Sequence, residues 1–245
     1  MSTFAFYKKV VALNTNVHRN LKFTFNKTDF SFARDTNIIL LAGVEFAEAS
    51  HEYPIVFIRN EDNKQMLPVA LLGVRNDENL FVDEQGKWDA RYIPAFVRRY
   101  PFVIANGDAD SQLTVCIDED CPALNAADGE LLIDAEGKLQ PRMTEVMQFL
   151  QNFQNEIART ELIARQLDEL GLFIQQGARL GTAAGETFQL NNFYLIDEAK
   201  LGQIADDKLP ALFRSGALGL VYLHLASLSN MRVLPERASA RLKAK

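Results

Sequence analysis

Short runs of branched and aromatic residues, separated by polar turns, dominate the first half of the chain. Residues 10–13, 38–41, 54–59 and 69–74 are such runs, and 113–117 is another; their composition predicts strands. Ile55-Val56-Phe57-Ile58 is apolar without alternation, which predicts a strand covered on both faces. Residues 44–52 read as a short helix stopped ahead of Pro54, because a residue before proline is pushed out of the helical region. In 80–88, Asp83 follows three apolar residues and Gly86-Lys87-Trp88 closes the run. Asp opens such a turn and Gly supplies a positive φ, so a hairpin is predicted. Leu131-Leu132-Ile133-Asp134 followed by Gly137-Lys138-Leu139 repeats that order. A common turn geometry accounts for the echo; a duplicated unit is the alternative.

The period changes near residue 143. Val146, Leu150, Phe153, Ile157, Ala164 and Leu167 fall at three-and-four spacing, so 143–170 is predicted to be one long helix. Pro141 suits its first turn and Gly171 the position past its end. Beyond it, the glycines at 177, 181 and 185 suggest a flexible link, and 187–196 reads as a strand. Asp197 is expected to cap one short helix, and Asp206 or Asp207 a second that ends at Gly216. Residues 218–225 fit a strand or a buried helix. The expected fold class is α+β: a sheet-rich part over 1–140, then the long helix with a smaller mixed part over 141–245, the two packed as one unit.

Composition narrows the function classes. The chain has 245 residues, 48% of them hydrophobic, which is enough for a sizeable core. A net charge of −6 argues against a nucleic-acid partner. Arg232, Arg237, Arg241, Lys243 and Lys245 form a basic C-terminus, which reads as a solvated end. The longest apolar run, 217–223, is too short for a bilayer, so no membrane span is expected. Lys8 and Lys9 interrupt the start, which does not resemble a secretory leader, and the expected location is the cytoplasm. Cys116 and Cys121 stand near Asp118, Glu119 and Asp120, an environment that disfavours thiolate; both are expected to be inert thiols.

The usual catalytic signatures do not occur. There is no phosphate-cradling glycine loop, no nucleophile elbow and no paired Cys-x-x-Cys. His18, His51 and His224 lack metal-ligand spacing, so neither a metal nor a cofactor is expected. Asp118-Glu119-Asp120 could serve acid–base work, especially beside Arg98 and Arg99, or be a solvated turn before Pro122. The acidic stretch 106–110 offers the same choice without a complete calcium-loop pattern. One block carries more chemistry. Trp88, Arg91, Tyr92, Arg98, Arg99 and Tyr100 combine the single tryptophan with tyrosines and guanidinium groups. Such groups suit an anionic or sugar-like small ligand, through stacking and forked hydrogen bonds; a packed aromatic segment is the plainer alternative. These six are the candidate ligand-binding residues, and no catalytic residue is assigned.

The same block carries a resemblance. Tyr53-Pro54-Ile55-Val56-Phe57, Ala70-Leu71-Leu72-Gly73, Asn79-Leu80-Phe81-Val82, Gly86-Lys87-Trp88, Tyr92-Ile93-Pro94-Ala95-Phe96 and Arg98-Arg99-Tyr100-Pro101-Phe102 resemble the SapC family of bacterial proteins. Leu13-Asn14, His18, Leu21 and 113–118 fit as well, so the resemblance covers nearly the whole chain. It implies kinship with proteins associated with a paracrystalline surface layer, and it brings no catalytic residues to these positions. The expectation is a non-catalytic binding or accessory protein linked to cell-surface polymer or glycan metabolism, with a small ligand and a protein partner. A carboxylate-based enzyme and a structural surface-layer component, located at the cell surface, are the alternatives.

Overall fold

The computed structural model describes residues 6–25, 29–106, 113–182 and 185–243. Within them the elements run β1 (Val10–Ala12), β2 (Lys22–Phe23), β3 (Ile38–Leu40), α1 (Phe46–Ala49), β4 (Ile55–Arg59), β5 (Met66–Leu71) and α2 (Ala95–Arg98). Then follow β6 (Phe102–Asn106), β7 (Leu113–Asp118), β8 (Glu130–Leu131), α3 (Pro141–Glu169), β9 (Phe173–Gly181) and β10 (Thr187–Ile196). Four helices close the chain: α4 (Glu198–Leu201), α5 (Leu209–Ser215), α6 (Ala217–Ser227) and α7 (Val233–Lys243). The fold is α+β, and its strand pairs are antiparallel.

The main sheet has the order β3-β5-β4-β10-β9, beside a three-stranded sheet β1-β7-β6 and the small pair β2-β8. Strand β4 pairs β5 over its full length and meets β10 at Phe57 and Tyr194. Strands from before and after the long helix therefore lie in one sheet. Ile55, Val56, Phe57, Val69, Ala70 and Leu71 are all buried, as the unalternating runs require. Helix α3 packs on β5 and β6, and α6 packs on β4 and β10. The buried stripe of α3 is Met143, Val146, Leu150, Phe153, Ile163, Ala164 and Leu167. Pro141 opens the helix, and Gly171 at φ +66 follows its end.

The two echoing hairpins share one turn. Asp83 Oδ1 accepts from the N–H groups of Gln85 and Lys87 at 3.0 and 2.8 Å. Asp134 Oδ1 accepts from Glu136 and Lys138 at 3.1 and 2.8 Å. Gly86 and Gly137 sit at φ +82 and +84, which glycine adopts without steric cost. The Asp-x-x-Gly-Lys order is thus the chemistry of the turn itself.

Three local expectations change, and one open choice is decided. The glycines at 177 and 181 lie in the nine-residue strand β9, paired to β10, rather than in a flexible link. Residues 218–225 are helical, within α6. Lys208, not an aspartate, is the N-cap of α5, although Gly216 does end it, at φ +82. The basic C-terminus is a helix that grips the first hairpin. Arg241 donates to the carbonyls of Asn79 (2.8 Å) and Val82 (2.6 Å). Arg237 donates to Asp89 Oδ2 at 2.7 Å. The helical run Ala217–Lys243 is 27 residues long and apolar enough, by length and composition alone, to cross a membrane. Within this run Ala217, Val221, Leu234 and Ala238 are buried, and Arg237 and Arg241 hydrogen-bond to the first hairpin and Asp89. The acidic stretch at 106–110 lies, beyond Asn106, outside the described residues, as does Lys245.

Candidate functional site

The aromatic–arginine block is organised by a buried carboxylate. Glu45 accepts the N–H of Ala42 at 2.8 Å, the N–H of Ala95 at 2.7 Å and the hydroxyl of Tyr92 at 2.7 Å. Burial pushes its pKa up, and these donors oppose the shift. Glu45 thereby ties Tyr92 to the first residue of α2. Ala95, Phe96 and Val97 are buried, which leaves Arg98 on the exposed side of that one-turn helix. Arg98 Nε donates to Ile93 O at 2.9 Å, and the guanidinium carbon lies 5.3 Å from the Phe149 ring centre and 5.9 Å from that of Tyr92. Arg99 turns inward and is buried, 3.9 Å over the Phe96 ring. Burial lowers its pKa, with the neighbouring Tyr7 acting against that, but a guanidinium stays charged at neutral pH.

Helix α3 supplies the opposite wall. Arg142, in its first turn, lies 4.3 Å over the Phe25 ring and pairs with Glu145 at 2.6 Å and Glu130 at 3.4 Å. Between the walls is an open groove of about 260 Å³. Arg98, Arg99 and Arg142 line it with Phe23, Phe25, Tyr100, Phe102, Val146 and Phe149, and Glu145 is the one acid in that lining. The lining therefore carries a net positive charge. Phe149 and Phe25 lie against the guanidinium groups of Arg98 and Arg142, whose Nε atoms face Ile93 O and Glu130.

The six expected ligand residues do not share this groove. Arg98, Arg99 and Tyr100 line it; Trp88, Arg91 and Tyr92 line a separate, polar hollow of about 820 Å³ with Glu48, His51, Glu52 and Arg237. Pro94 starts α2 afresh, so Arg91 is not on its face; its side chain is 97% exposed, 4.0 Å from Glu52. Trp88 is 5% exposed and donates from Nε1 to the Tyr53 hydroxyl at 2.9 Å; Tyr53 in turn donates to the Tyr92 carbonyl. Tyr100 is buried and stacks on Phe32, with ring centres 4.1 Å apart.

The carboxylate trio lies elsewhere. Asp118 is fully buried and accepts the N–H groups of Lys8 and Lys9 at 2.9 Å each, a structural anchor for the chain entering β1. Glu119 pairs with Lys9 and His18. Asp120 lines a third hollow, of about 480 Å³, with Asp29, Ser31, Phe32 and Cys121. None of the three is in the lining of the arginine groove. Cys116 and Cys121 are buried and form no disulfide; burial raises the Cys116 thiol. Among the described residues no cluster of three His, Cys, Asp or Glu side chains could hold a metal ion. The sequence reading missed Arg142, Phe149, Phe23 and Phe25. A signal for two of them existed: Arg142, Val146 and Phe149 recur at four and three residues along one helical face.

Comparison with curated proteins finds no match, and comparison with solved structures finds none. The SapC family model matches residues 13–234, and the chain therefore belongs to the SapC family.

Proposed function

We propose that the protein is a non-catalytic binding protein that holds a small anionic ligand in the groove between α2, β6 and the start of α3. The supporting observation is the charge balance of that lining, three guanidinium groups against one carboxylate. A guanidinium fork matches carboxylate and phosphate oxygens, and partial burial lessens screening by salt. The candidate acid–base groups 118–120 are spent on backbone anchoring, surface ion pairs and another hollow, which favours binding over chemistry in this groove.

Native mass spectrometry of the protein purified from its own cells tests the proposal. A small-molecule adduct is expected on the natural chain and should be absent from Arg98→Gln. An adduct retained equally by Arg98→Gln and by Arg99→Gln would count against this groove.

A further inference from the structure

Resting on that anion-binding reading, we infer that the ligand is an amphipathic anion, one charged head on an apolar body, rather than inorganic phosphate or a compact polyanion. Arg98 and Arg99 stand at the α2 side of the groove and Arg142 in the first turn of α3, while Phe23, Phe25, Phe102, Val146 and Phe149 make the rest of the lining apolar. Phe23 and Phe102 are buried, and Phe23 meets Phe25 edge-on with ring centres 4.7 Å apart, so the aromatic surface the groove still offers is that of the half-buried Phe25 and Phe149. A lone phosphate would satisfy the guanidinium forks and leave that surface wet. An apolar body laid along it removes both surfaces from water.

The charge placement points the same way. Two of the three guanidinium groups lie over groove rings, Arg98 over Phe149 and Arg142 over Phe25. A guanidinium lying over an aromatic ring suits a planar anionic head at the end of a flat or slender body. Arg142 is held by Glu145 and Glu130, so the surplus charge matches a singly charged head better than a multiply charged one. At about 260 Å³, the groove takes a single aromatic bicycle or a short acyl chain.

Isothermal titration calorimetry on the full chain, with 2-naphthoate, octanoate, acetate and inorganic phosphate as probes, tests the inference. Naphthoate or octanoate should bind at least about tenfold more tightly than acetate and phosphate, the factor expected from burying a few apolar groups. Phe149→Leu and Phe149→Ala should weaken naphthoate binding progressively, and Arg98→Gln should weaken every anion. Phosphate binding as tightly as naphthoate, sensitive to Arg98→Gln, would overturn the amphipathic ligand and leave the anion site standing. No binding of any of the four probes would overturn both. Naphthoate binding unchanged in Phe149→Ala and in Arg98→Gln would place the ligand outside this groove and overturn both as well. Circular dichroism of each variant separates lost binding from lost folding.

Discussion

His224 holds Ile55 through its imidazole: Nδ1 donates to the Ile55 carbonyl at 2.8 Å, while Nε2 accepts the Ile196 N–H at 3.1 Å. The ring therefore bridges β4 and β10 from helix α6, and it must be neutral with its proton on Nδ1. Ser227, one turn on, accepts the Ile55 N–H at 2.9 Å. Two side chains of α6 thus satisfy the backbone of Ile55 close to the point where β10 meets β4 at Phe57.

This bridge makes stability depend on pH. Burial pushes the His224 pKa down to about 4, below the ordinary 6.5. The folded pKa is the lower one, so the stabilisation is complete above about 6.5 and is lost as pH falls toward 4. The shift corresponds to a loss on the order of 3 kcal/mol at the acid end. Urea unfolding at pH 7.5, 5.5 and 4.5 should show that decline, and His224→Leu should remove this component while starting from a lower stability at pH 7.5.

Trp88 is expected to matter for folding and not for binding. Trp88→Phe removes the donor to the Tyr53 hydroxyl and should cost roughly 2 kcal/mol. Naphthoate affinity should stay within about twofold of the natural protein, since the indole lies outside the arginine groove. Denaturant titration and calorimetry on the same variant check both halves.

Two glycines with similar backbones should respond differently to alanine. Gly171 has φ +66 and open space where an added methyl group would stand, so Gly171→Ala should cost only the left-handed strain, about 1 kcal/mol. Gly86 has φ +82, and its added Cβ would fall 2.2 Å from Asp29 Oδ1, an oxygen fixed by the Ser31 N–H at 2.8 Å. Gly86→Ala should therefore lower the unfolding midpoint clearly further, by thermal melts run side by side.

Cys116 and Cys121 should count as two thiols when the unreduced protein is unfolded in the presence of a thiol reagent, and react slowly while it is folded. Their burial, with the raised Cys116 pKa, sets that difference.

The sequence showed the central strands because both faces of β4 and β5 are covered, and such strands are apolar throughout. Strand β9 was hidden for the opposite reason. It is an edge strand paired to β10 alone, and Gln175, Gln176 and Gly177 give it a polar, loop-like composition. Helix α7 misled through its charge: Arg237 and Arg241 find backbone carbonyls far away in sequence, a partnership no local pattern encodes. The lining of the candidate groove was half legible. Arg98, Arg99 and Tyr100 stood out by type, but Arg142 and Phe149 join them only through the packing of α3 against β6, and the break at Pro94 separates Arg91 from them.

That separation gives the most direct test of where the ligand sits. Side-chain guanidinium resonances of Arg91, Arg98 and Arg99, assigned by single substitutions, can be followed by NMR during titration with 2-naphthoate. Saturable shifts at Arg98 and Arg99, with Arg91 unmoved, are predicted. Shifts at Arg91 without any at Arg98 and Arg99, or none at all three, would contradict the account.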